Sequence, residues 1–133
     1  MNTKISILII EDEKNICDFI ATALISQGYR AFKSYSGTDG ISQITSRCPD
    51  LLLLDLGLPD MDGMNIIEEV RKWSSMPIIV ISARTQENEK VLALDAGADD
   101  YITKPFGTSE LLARVRTAVR HLSAANGQGA QSH

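Results

Sequence analysis

Cysteine is scarce in this chain of 133 residues: there are two, Cys17 and Cys48. Neither sits in a metal-type spacing, so a structural zinc site is excluded and both read as reduced thiols of a cytoplasmic protein. An excess of positive charge is missing too. The net charge is −4, which argues against nucleic-acid binding by the chain itself and against affinity for anionic membranes. No apolar run approaches the ~20 residues that span a bilayer. The polar start, residues 1–4, followed by a short apolar stretch that ends at Glu11, is no signal peptide. Internal repeats are absent.

What remains is ordinary globular composition, 44% hydrophobic and 23% charged, enough for the core of one domain. Short apolar runs alternate with amphipathic stretches. Strands are predicted over 5–10, 30–34, 51–54, 78–81 and 101–103. Helices are predicted over 14–26, 38–46, 63–73, 87–96 and 109–122. The four leucines of 51–54 are too few for a helix between Pro49 and Pro59, so they read as a central strand. Strands joined through helices run parallel. The expected fold is therefore α/β, a doubly wound five-stranded parallel sheet flanked by five helices. Residues 1–122 form the domain. Residues 123–133, small, polar and Gly-containing, read as a flexible linker or tail.

In open parallel sheets, ligands bind at the carboxyl ends of the strands. The first strand ends in Glu11-Asp12-Glu13, the third in Asp55 and the fourth in Ser82-Ala83, and Lys104-Pro105 follows the fifth. With strand order 2-1-3-4-5, Asp12 and Asp55 face each other across a cleft. Packed carboxylates repel unless protonated or metal-bound. A hard cation such as Mg²⁺, held by carboxylates and phosphate oxygens, resolves the conflict. The cation and Lys104 would neutralise a phosphoryl group in transfer, and the Ser82 hydroxyl would bond one of its oxygens. Arg84, two residues past Ser82, would stand beside that group and obstruct an attacking water.

Glu11-Asp12, Asp55, Ser82 and Lys104-Pro105-Phe106, in that order and spacing, resemble the receiver domains of bacterial two-component response regulators over about residues 5–122. The resemblance implies a flavodoxin-like receiver fold and a phosphorylation-dependent switch that is not a conventional enzyme, although it catalyses its own phosphorylation and slow dephosphorylation. It implies Asp55 as acceptor of a phosphoryl group from a partner histidine kinase. Mg²⁺ would be held by Asp12, Asp55 and the Gly57 backbone carbonyl, with Glu11 acting through water. Ser82, Ala83, Tyr101 and Lys104 would bind the phosphoryl group or relay its presence, and the Lys104–Pro105 bond would be cis.

The stretch 96–106 is typical of the OmpR/PhoB class, whose members carry a DNA-binding domain after the receiver. Residues 55–63, 71–74 and 81–84 most resemble regulators of Kdp potassium-uptake operons. DNA contact would belong to an effector domain outside this chain. The class also implies a phosphorylation-promoted homodimer through the fourth helix, fifth strand and fifth helix. Lys90 would pair with Glu110, Asp100 with Arg114 and Asp95 with Arg116 across a two-fold axis, around Val91, Leu94 and Ala113.

Rival readings are weaker. Asp60-Met61-Asp62-Gly63 with Glu69 mimics a calcium loop, but the first ligand position is Leu58 and Pro59 breaks it. An Asp-nucleophile phosphohydrolase of the haloacid dehalogenase type needs a second Asp where this chain has Gly57. A nucleotide binder would need a Gly-rich first loop, where this chain has acids. A stand-alone receiver acting on protein partners remains an alternative. Glu13 reads as a helix cap and Trp73 as helix–sheet packing. Met61, Met64 and Met76 read as filler, and His121 and His133 as surface residues. Leu112, off the stripe of Leu111, Val115, Ala118 and Leu122, is expected to be exposed.

Overall fold

The computed structural model describes residues 4–131, and side chains to residue 122. Five strands, β1 (Ser6–Ile10), β2 (Arg30–Ser34), β3 (Leu51–Asp55), β4 (Ile78–Ser82) and β5 (Asp100–Thr103), alternate with α1 (Lys14–Ser26), α2 (Gly37–Arg47), α3 (Gly63–Arg71), α4 (Glu87–Ala96) and α5 (Thr108–Gln131). The strands pair in parallel in the order 2-1-3-4-5, as expected. The tail 123–133 and His133 lie outside the residues whose side chains are described, so the linker reading stays an expectation.

Strand side chains alternate between faces, and both faces here are covered. Leu8, Ile10, Leu52, Leu54, Ile78 and Val80 pack with α2, α3 and α4 residues on one side. Ile7, Ile9, Leu51, Leu53, Ile79 and Ile81 pack with α1 and α5 residues on the other. All four leucines of β3 are fully buried. Each contributes about 1.5–3 kcal/mol relative to an exposed leucine, which is why the run forms a central strand.

Two side chains depart from expectation. Leu112 is buried, not exposed. The inward face of α5 is wider than the single stripe, because Leu111, Leu112 and Val115 share a cluster that also takes in Ile16 of α1. Trp73 is half exposed rather than packed between helix and sheet. Helix α3 stops at Arg71, so helical periodicity no longer sets where residue 73 points. Arg71 anchors this end by donating to the Gly97 and Ser74 carbonyls and to Asp99.

Candidate functional site

Register brings the chemistry-bearing residues together. Ile10 pairs with Leu54, so Glu11, just past β1, and Asp55, the last residue of β3, stand side by side. Ser82 pairs with Thr103, and the Lys104 N–H donates to the Ser82 carbonyl at 2.8 Å, which fixes the start of the next loop. The Lys104–Pro105 bond is cis. Close approach of α3 to β3 sets the far wall. A Cβ on Gly63 would stand 2.8 Å from the Asp55 carbonyl oxygen and 2.8 Å from Leu56 Cα, so only glycine fits there.

The result is a cavity of about 190 Å³ lined by Asp12, Glu13, Asp55, Gly57, Ser82, Ala83, Arg84 and Lys104. Carboxylate oxygens of Glu11, Asp12 and Asp55 lie within 4.8 Å of one another. Glu11 and Asp55 are buried. Lys104 Nζ sits 2.7 Å from Glu11 Oε1, 3.5 Å from Asp55 Oδ2 and 4.0 Å from Glu13 Oε1. Burial pushes the Glu11 carboxyl up, and Lys104 only partly offsets it. Burial also works against the Lys104 charge, but Glu11 and Asp55 outweigh it and hold the ammonium above its ordinary value. Three clustered carboxylates make an all-oxygen donor set that suits a hard divalent cation. Receiver domains generally bind Mg²⁺ at such an acidic pocket.

The remaining predicted residues fall as follows. Ser82 and Tyr101 are both buried and share no hydrogen bond. Arg84 joins them: its N–H donates to Ser82 Oγ at 3.0 Å, and its carbonyl accepts from the Tyr101 hydroxyl at 2.9 Å. Glu13 stands at the N-cap of α1 without a side-chain cap bond, and its own N–H donates to Glu11 Oε2. The acids that mimic a calcium loop are engaged elsewhere. Asp60 accepts from Gly37 N, Thr38 N and the Thr38 hydroxyl, while Asp62 caps α3 through Met64 N. Cys17 is buried, which pushes its thiol up to about 11, so it is structural.

On the face of α4, β5 and α5, Val91 and Leu94 are exposed, as is Ala113. Arg114 pairs within the chain with Asp100 at 2.9 Å and with Glu110 at 3.4 Å. Among the described residues, no ion pair of the chain takes up Lys90, Asp95 or Arg116. Two further contacts, Arg84 with Asp62 and with Glu89, carry no signal in the local pattern. Both link separate loops and helices, and only the fold brings them together.

Comparison with known proteins agrees with this geometry. The response regulator receiver domain family matches residues 7–116. The KDP operon transcriptional regulatory protein KdpE of Escherichia coli K12 is 51% identical over 119 residues, covering 90% of this chain and 53% of that protein. The transcriptional regulatory protein KdpE of Mycobacterium tuberculosis is 46% identical over the same shares. The chain thus spans about half the length of these curated relatives. The CheY-like receiver domain protein of Methanospirillum hungatei superposes with a TM-score of 0.88 at 27% identity, over 92% of this chain and 99% of that one. With its family matched over most of its length, its sheet order and its acidic cleft in place, this chain belongs to the response regulator receiver domain family.

Proposed function

We propose that Asp55 is the phosphoacceptor of a Kdp-type regulator. The observation that carries this is Asp55 Oδ2, buried at the end of the central strand yet 3.5 Å from Lys104 Nζ, in a cavity shared with Asp12 and Ser82. A carboxylate oxygen of Asp55 attacks the phosphorus of a partner kinase's phosphohistidine. The P–N bond breaks, a P–O bond forms, and the imidazole leaves with the electron pair and takes up a proton. Asp12, Asp55 and the Gly57 carbonyl would hold Mg²⁺, with Glu11 supporting through water, and the cation would supply charge neutralisation for the phosphoryl oxygens. Lys104 contacts one oxygen, the Ser82 hydroxyl donates to another, and Ala83 leaves room beside them.

Once Ser82 turns to the phosphoryl group, its hold on the Arg84 N–H weakens, and Tyr101 follows through the Arg84 carbonyl. That biases α4, β5 and α5 toward a second arrangement. This favours a homodimer and, through an effector domain outside this chain, transcriptional control in the cytoplasm. The chain catalyses its own phosphorylation and slow dephosphorylation, without turnover of an external substrate. The test is intact mass after incubation with acetyl phosphate and Mg²⁺. At most one phosphoryl group should be gained, on Asp55. Rapid multiple turnover of acetyl phosphate would point instead to a hydrolase.

A further inference from the structure

Two walls of the acidic cavity hang on one junction that lies outside it, where β2 passes into α2. The first wall is the end of β1. There the Glu11 N–H donates to the carbonyl of Ser34, the last residue of β2, at 2.9 Å. The second wall is the loop 56–62 between β3 and α3, which carries Gly57. The base of this loop is closed by the Gly63 N–H on the Leu56 carbonyl at 2.9 Å and by a bridge between Gly57 and Asp62. Its tip crosses to α2. Asp60 Oδ1 accepts from the Gly37 N–H at 2.8 Å, and Oδ2 accepts from the Thr38 N–H at 2.8 Å and from the Thr38 hydroxyl at 2.7 Å. Met61 lies directly over Gly37, where a Cβ would stand 2.5 Å from Met61 Cγ. Only Tyr35 and Ser36 separate Ser34 from Gly37, and the Ser34 hydroxyl bonds the Ser36 carbonyl and Asp39, which stiffens the junction.

The first N–H groups of a helix have no partner within it. Ser36 Oγ takes that of Asp39, and Asp60 takes those of Gly37 and Thr38. Both oxygens of Asp60 are thereby committed to α2. Gly57 has no side chain to hold its own carbonyl in place, and the space beside its Cα is open. A loop closed by one bridge can still swing as a body about its base. What resists that swing is the tip. Between Asp60 and Gly57 stand only Pro59, whose ring fixes φ, and Leu58, which is buried, so little slack separates the tether from the Gly57 carbonyl. We propose that Asp60 is a positioning residue for the cation: it clamps the β3–α3 loop to the junction that also holds Glu11, and so sets how far the Gly57 carbonyl stands from the carboxylates. This rests on the reading of the cavity as a Mg²⁺ site with the Gly57 carbonyl as one ligand. Asp60 itself touches no cation, and its effect passes through the loop.

The test reads Mg²⁺ affinity by titration calorimetry on the unphosphorylated protein, with folding checked by circular dichroism. Asp60→Ala should bind Mg²⁺ roughly threefold more weakly than wild type, less than the usual loss of an outer-shell partner because the effect is relayed by the loop. Thr38→Val removes the hydroxyl at the other end of the tether. It should weaken binding in the same direction and add nothing in the Asp60→Ala background. Ser36→Ala removes a cap bond of the same helix without touching the loop. It should lower stability and leave Mg²⁺ affinity at the wild-type value. In the magnesium-free protein, amide hydrogen exchange of residues 56–62 should quicken in Asp60→Ala and not in Ser36→Ala. Equal Mg²⁺ affinity in wild type and Asp60→Ala, or an equal loss in Ser36→Ala, overturns the proposal. Wild type that binds no Mg²⁺ would overturn the cation site itself, and this inference with it.

Discussion

The Tyr101 hydroxyl donates to the backbone carbonyl of Arg84 at 2.9 Å, and this ties β5 to the loop that follows β4. Tyr101 is 4% exposed, so its hydroxyl has little access to water, and a buried phenol needs such a partner. Tyr101→Phe keeps the ring and removes the bond. We expect a loss of about 0.5–1.5 kcal/mol in urea denaturation. Coupling should fall as well, with beryllofluoride promoting dimerisation less than in wild type. If midpoint and coupling both match wild type, Tyr101 is plain packing.

Asp55→Ala should abolish labelling by acetyl phosphate, since Asp55 is the buried carboxylate that lines the cavity 3.5 Å from Lys104, while the neighbouring Glu11 does not line it and is already taken up by Lys104 at 2.7 Å. Labelling at the wild-type rate would sink the acceptor assignment. Asp12→Ala leaves the acceptor in place and removes one of three clustered carboxylates. Its Mg²⁺ affinity, read by titration, should drop severalfold, and an unchanged affinity would refute the metal site.

Much of this was legible in the sequence because it depends on short-range pattern. Continuous apolar runs such as 51–54 and 78–81 gave strands, and the acids just past β1 and at the end of β3 gave the cleft, since parallel strands align their carboxyl ends. Trp73 and Leu112 were misread for a different reason. Their environment depends on where α3 stops and on how closely α1 packs on α5, and neither is written in local periodicity. The junction role of Arg84 was likewise hidden. It comes from backbone groups, which any residue carries, meeting Ser82 and a tyrosine 17 positions away.

Gly63→Ala should be costly. Its Cβ would stand 2.8 Å from backbone atoms of Asp55 and Leu56, which cannot rotate away as a side-chain tip can. Either α3 moves off β3 or Asp55 is displaced. We expect 1–3 kcal/mol of destabilisation, about the cost of overpacking, and slower labelling of the protein that remains folded. Wild-type stability together with wild-type labelling would show that α3 has freedom the structure does not display.

Asp60 reaches across from the β3–α3 loop to cap α2 through Gly37, Thr38 and the Thr38 hydroxyl, and these bonds hold its carboxyl down to about 2. The folded value lies below the unfolded one. The stabilisation is therefore complete above the ordinary carboxylate range and is lost as pH falls through about 2. Asp60→Asn mimics the protonated form at every pH. Wild type should be the more stable near neutrality, and the two should converge as pH drops from about 4 toward 2. Urea midpoints across that window test this, and a constant gap would show that ionisation of Asp60 is not the cause.

Arg114 decides whether the face of α4, β5 and α5 is an interface. Within one chain its Nη1 already lies 2.9 and 3.0 Å from the two Asp100 oxygens, and its Nη2 lies 3.4 Å from Glu110. A second copy would therefore meet a neutralised pair, and pairing across a two-fold axis would be an exchange or sharing of partners. The net gain from such exposed pairs is small, about 0–1 kcal/mol each. Affinity would then come from covering Val91 and Leu94, which are 45% and 40% exposed, while the charges would set register. Arg114→Glu turns this logic around. It places a third acid beside Asp100 and Glu110 in each copy, and the like charges of two copies meet at the axis. Sedimentation with beryllofluoride should show wild type as a dimer and Arg114→Glu as a monomer, with their urea midpoints differing by no more than about 1 kcal/mol. Adding Asp100→Arg restores opposite charges with the signs exchanged and should recover part of the dimer. Undiminished dimerisation of Arg114→Glu would place the interface on another face.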